Sequence, residues 1–132
     1  MRLILPIPPS VNHMYVGRKR VMNKAAKQWY VTAGWRIKMW TREAKWAKTI
    51  DTWLYADMWF FMPDKRKRDS HNTLKILLDV MEGFVYENDF YIMPRIQQVG
   101  YDKENPRVEI EFSEARNLKI RKDESETIRE EE

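Results

Sequence analysis

The sequence predicts an α+β domain: a small mixed four-stranded sheet with two helices on one face. Three observations lead there. Apolar residues recur at helical spacing in two stretches. Aromatic and apolar runs bounded by Pro, Gly or charged turns mark four strands. The elements follow one another as strand, helix, strand, helix, strand, strand. A length of 132 residues suits one such domain with a modest core.

Arg2–Ile7 reads as the first strand, closed by Pro8 and Pro9, with Ser10–His13 as a polar turn. Met14–Asn23 carries Arg18, Lys19 and Arg20 and reads as an exposed loop or short hairpin. The first helix runs from about Lys24 to Lys48. Its apolar positions, Ala26, Tyr30, Ala33, Ile37, Trp40, Ala44 and Ala47, alternate by four and three and so share one face. Gly34 costs this helix about 1 kcal/mol relative to alanine, which the length and periodicity outweigh. Thr52–Met62 reads as the second strand, ended by Pro63. A crossover through the first helix allows the first two strands to run parallel.

The second helix runs from about Ser70 to Glu82, with an apolar stripe of Leu74, Leu77, Leu78 and Met81 and Gly83 as its C-cap. Asn72, Lys75 and Asp79 form a polar stripe beside it. Val85–Phe90 is a loop holding Glu87, Asn88 and Asp89. Tyr91–Tyr101 and Arg107–Phe112 read as a hairpin around Asp102–Pro106. The domain spans 1–112. Residues 113–132 are highly charged, contain no aromatic residue and end in three glutamates, as a solvated helix or disordered tail would.

Composition excludes several classes. Without cysteine there is neither a disulfide framework nor a thiolate zinc site. No apolar run approaches 18 residues and the N-terminus lacks a signal-peptide pattern, so a soluble cytoplasmic protein without membrane attachment is expected. There is no glycine-rich phosphate loop and no HExxH pattern. The two histidines, His13 and His71, lie far apart in sequence.

Charge is lopsided. Residues 1–68 hold 15 Lys/Arg against 4 Asp/Glu, whereas 69–132 hold 9 against 16. The basic half favours a polyanion such as nucleic acid, although it is also what a solvated surface with an acidic tail looks like. The six tryptophans suit a core, with Trp29 or Trp59 available to stack on unpaired bases.

The run Lys65–Asn72 joins these threads. Lys65, Arg66, Lys67 and Arg68 attract phosphate, and Asp69 and His71 follow at the edge of the second helix. Lys75 lies one turn further. If tertiary structure returns Asp89, then Asp69, His71 and Asp89 surround one point with Lys75 at its side. Two or three side chains plus water hold a magnesium-type ion, and hydrolysis of a phosphodiester needs such a cation, an activated water and a held backbone. Each residue has a plainer role too: Asp69 as an N-cap, His71 as an exposed first-turn residue, Lys75 as an ion-pair partner of Asp79, Asp89 as loop chemistry.

Pro8-Pro9-Ser10-Val11-Asn12 resembles the PPSxN opening of the RusA family of Holliday-junction resolvases. Lys67–Lys75 resembles that family's basic run leading into DxDNxxK. Asp79 and Gly83 match its continuing helix and turn, and Asn88-Asp89 its closing acidic pair. The resemblance covers about residues 2–112. It implies a RusA-like homodimer that binds branched DNA, the four-way junction, and nicks two strands with Mg2+ or Mn2+ during recombination and repair. It places catalytic acids at Asp69 and Asp89, the catalytic-site lysine at Lys75 and the motif asparagine at Asn72, with Lys65–Arg68 gripping DNA. His71 stands where the pattern has a second aspartate. A neutral imidazole there is either a third ligand, favouring manganese-like ions, or the base for water. Weakened catalysis leaves a junction-binding protein as the alternative. Ile76 and Val80, off the main stripe of the second helix, suit a dimer contact.

Overall fold

In a computed structural model, residues 1–9, 15–16, 21–65 and 73–115 are described. The elements are β1 (Leu3–Leu5), β2 (Tyr15–Val16), β3 (Val21–Met22), α1 (Lys24–Glu43), β4 (Leu54–Met62), α2 (Leu74–Met81), a 3₁₀ turn (Asp89–Tyr91), β5 (Ile92–Tyr101) and β6 (Arg107–Glu114). The expected mixed four-stranded sheet is present, in the order β1-β6-β4-β5, and β2 and β3 form the short hairpin.

The first two long strands are parallel, as expected, whereas the pairing of the last two differs from expectation. β1 and β4 both run antiparallel to β6, so they are parallel to each other but separated by it. β5 and β6 do not form a hairpin; they flank β4, β5 parallel to it and β6 antiparallel. Residues 102–106 therefore span two strand spacings, about 10 Å, over the end of β4, where the Asp102 N–H bonds the Met62 carbonyl at 2.8 Å. Alternation along β4 explains this central place. Leu54, Ala56, Met58, Phe60 and Met62 are all buried on one face, and the nine-residue strand offers a partner on both edges.

α1 covers that face through Ala26, Trp29, Ala33, Ile37 and Trp40. Trp29 takes the core position expected of Tyr30. The Asn23 side chain caps the helix start, accepting from the Ala26 N–H at 2.8 Å. The helix stops at Glu43, short of Lys48. Lys45 adopts φ +52°. Its N–H bonds the Arg42 carbonyl, and the Trp46 N–H bonds that of Thr41, a paired closure that satisfies the last carbonyls. The chain turns because Trp46 returns to the core: its indole N–H donates to the Val85 carbonyl at 2.9 Å, and its ring lies 5.3 Å from Trp40.

α2 buries Ile76, Leu77, Val80 and Met81, while Leu74 and Leu78 are only half-buried. The apolar face is thus rotated from the expected stripe. Ile76 and Val80, at 2% and 6% exposure, belong to this chain's own core and cannot serve a dimer contact. Gly83 ends the helix with φ +91°, as expected of a C-cap glycine.

Candidate active site

The second half of the site is assembled by the turn after α2. Gly83 donates to the Tyr86 carbonyl at 2.7 Å and Val85 to that of Met81 at 3.0 Å. Tyr86 anchors the turn: it is 1% exposed, and its hydroxyl donates to the Leu78 carbonyl at 2.6 Å. Thr49 pins the far side, donating to Val85 and accepting from Glu87. Asn88 then caps the 3₁₀ turn through the Phe90 N–H at 2.9 Å, and the Asp89 N–H bonds Glu82 Oε1 at 3.3 Å.

The result is that Asp89 does return to the helix. Carboxylate oxygens of Asp79, Glu82 and Asp89 all lie within 4.8 Å of one another. Lys75, one turn back along α2 and strongly exposed, reaches Asp79 at 3.9 Å. Burial, followed by the negative charges of Asp89, Glu82 and Asp79, pushes the Tyr86 phenol well above its usual range, so it remains a donor. The donor set fits a hard divalent ion. Oxygens sharing one octahedral magnesium are about 3–4 Å apart, so small side-chain movements suffice.

Of the expected site, Lys75, Asp89 and Lys65 lie among the described residues. Asp69, His71, Asn72, Arg66, Lys67 and Arg68 lie outside them, as do Ser10–His13 and 116–132. Lys65 is exposed, with its ammonium 5.6 Å from the Tyr101 ring centre. It follows β4, whose end pairs with Tyr101, whereas Asp89 precedes Ile92, which pairs with the start of β4. The beginning of the basic run and Asp89 therefore stand at opposite ends of β4. Nine strand residues span roughly 30 Å.

Asp79 and Glu82 were not singled out as ligands. Asp79 carried two signals, its place on the polar stripe with Lys75 and its match to the family's continuing helix. Glu82 carried none, because only the turn at Gly83 points it toward Asp89. The two tryptophans considered for base stacking are otherwise engaged. Trp29 is buried and donates to the Pro6 carbonyl at 2.9 Å, and the Arg2 guanidinium covers the Trp59 ring at 3.6 Å. The exposed indole is Trp35.

A family model for the endodeoxyribonuclease RusA matches residues 6–113. The chain belongs to the RusA family. No curated protein sequence matches it. The resemblance seen in the sequence motifs is thereby borne out, and the RusA match covers every described element except β1 and the end of β6, the hairpin and both helices included. It brings the acidic cluster and Lys75 into a domain of an endodeoxyribonuclease family. No helix among the described residues is long and apolar enough to cross a membrane.

Proposed function

We propose that this RusA-family chain is a metal-dependent, structure-selective endonuclease that resolves four-way DNA junctions by paired nicks. The observation that supports it best is the convergence of Asp79, Glu82 and Asp89 one helical turn from Lys75. Asp89 is the shared member of two ligand sets. Asp69 and His71, outside the described residues, form one set with it by motif; Asp79 and Glu82, at the C-terminal end of α2, form the other. A Mg2+ or Mn2+ held there supplies charge neutralisation at the scissile phosphate and acidifies bound water. The chain's own residues do the rest. Lys75 carries its ammonium on a flexible, exposed stem and would pair with the phosphate if Asp79 served as a ligand to the ion. His71 is ligand or base. Asn72 and Lys65–Arg68 hold the DNA backbone.

Two-fold symmetry in a homodimer would present two such centres to a branched substrate. Cutting of a synthetic four-way junction in magnesium or manganese tests the reading, and a junction that is bound but stays intact in both ions sinks it. In the same assay Asp69→Asn keeps junction binding and abolishes cleavage. Undiminished cutting by that variant removes Asp69 from the mechanism. His71 in place of an aspartate favours a second reading, a junction-binding protein with weak or no nuclease activity, which the bound but uncut outcome would establish.

A further inference from the structure

A groove of about 400 Å³ lies between α1 and the C-terminal end of α2. We propose that it receives a single unpaired nucleobase from the DNA strand whose phosphate sits at the acidic cluster. This rests on the endonuclease reading and names which part of the substrate the chain grips beside the cut.

Four observations converge. First, the groove carries two exposed aromatic rings, Trp35 at 65% and Phe84 at 39% exposure, which the fold leaves without a cover. Every base has a π-face, so such rings bind bases of any sequence. Second, the Lys38 ammonium stands between them, 5.8 Å from the Trp35 ring centre and 5.6 Å from that of Phe84. It meets the phosphodiester of a nucleotide whose base has entered. Third, two of the groove's walls are Asp79 and Glu82, which also belong to the acidic cluster. An occupant is thus a side chain's breadth from the reacting phosphate. Those carboxylates repel a phosphate inside the groove but accept hydrogen bonds from base amines.

The fourth observation concerns Gly34, on the floor of the groove. A Cβ built there meets nothing within 4 Å, so packing does not require glycine. A glycine inside a helix lowers its stability relative to alanine. What its missing side chain provides is depth. A base inside a duplex cannot enter such a groove, because both of its faces are stacked; an unpaired base at a branch point is already free to do so.

The test uses the full chain and four-way junctions in which each nucleotide flanking the cut is replaced in turn by an abasic site. Binding is measured with calcium in place of the catalytic ion. For wild type, loss of one particular base weakens binding roughly tenfold. Gly34→Leu fills the groove and Trp35→Ala removes its wall; in both, intact and abasic junctions bind alike while circular dichroism shows an unchanged fold. Variants that keep the tenfold discrimination, or a wild type that shows none while still cutting in magnesium, overturn the groove assignment alone. If the variants instead lose self-association and keep the discrimination, the groove is a contact with a second copy and the proposal is wrong. A wild type that cuts no junction in any metal removes the endonuclease reading itself, and this inference with it.

Discussion

Two surfaces of this molecule combine aromatic rings with cations, and they treat them in opposite ways. On the open face of the sheet, Tyr55, Trp59 and Phe61 alternate with the core residues of β4. Each is covered by an arginine: Arg95 at 3.7 Å, Arg2 at 3.6 Å and Arg107 at 4.0 Å from the ring centres. Every one of these arginines is tied to carboxylates. Arg95 forks onto Asp57 at 2.7 and 3.0 Å, Arg2 reaches Glu109 and Glu111, and Arg107 reaches Asp102 and Glu109. Register makes this possible, since Asp57 faces Arg95 and Trp59 faces Glu109 across adjacent strands. The outer surface of α1 shows the contrary arrangement. Lys24, Lys27, Arg36, Lys38 and Arg42 are exposed, and among the described residues no carboxylate pairs with them. Cations on the sheet act as a lid over apolar rings where a second helix layer would otherwise lie. Cations on α1 remain available to an external polyanion. Counting charges along the chain does not separate the two roles; the position of the nearest carboxylate does.

The sharpest way to break this contrast is through matched carboxylates. Asp89→Asn lowers junction cleavage by on the order of a hundredfold or more, with binding retained. Asp57→Asn, on the open sheet face, leaves cleavage of the folded protein at the wild-type rate. Equal losses in a nicking assay would mean that the sheet face takes part in the chemistry.

Salt dependence is the next largest difference. Each α1 cation that contacts a phosphate contributes close to one unit of slope in log K against log salt. Arg42→Gln therefore flattens the slope by about one unit. Arg95→Gln leaves it unchanged and lowers Tm instead, because it uncovers Tyr55 and strands Asp57.

Acid distinguishes the surfaces by stability alone. Arg95 first, then Gln97, hold the Asp57 carboxyl below its usual range against the opposing effect of burial. Arg107 first, then the Asn105 backbone, do the same for Asp102. Glu109 is also depressed, with the guanidinium bonds of Arg107 and Arg2 together outweighing burial. Lowered carboxyl values stabilise the fold fully above the unfolded range and lose that contribution as pH falls through the folded one. Tm should thus be flat near neutrality and drop below about pH 4. Arg95→Ala should make the drop shallower.

The smallest effect is at the end of α1. Lys45 occupies a left-handed conformation that suits glycine, so Lys45→Gly stabilises the protein by about 1 kcal/mol in chemical denaturation while removing a cation.

The two helix ends show what was legible and why. Gly83 announced the end of α2, because glycine is the residue that adopts positive φ without strain. The end of α1 carried no such signal. Lys45 is forced into the same conformation by the pull of Trp46 into the core, a tertiary cause that leaves no local mark. The apolar stripe of α2 was misplaced for a related reason. Six of its eight residues are apolar, so periodicity alone could not choose a face, and the sheet chose Ile76 and Val80. Motif order singled out Lys75 and Asp89 as candidates, whereas Glu82 became a partner of Asp89 only through the turn that Tyr86 anchors.

By itself, then, the sequence determined the element types, the mixed sheet and the family. Those follow from local periodicity and from residue spacing along the chain. Tertiary structure alone decided that β6 and β5 both flank β4, that three carboxylates meet at the end of α2, and which cations are neutralised. Each of these depends on residues far apart in sequence, and their proximity is set by how the helices bury one face of the sheet while arginines cover the other.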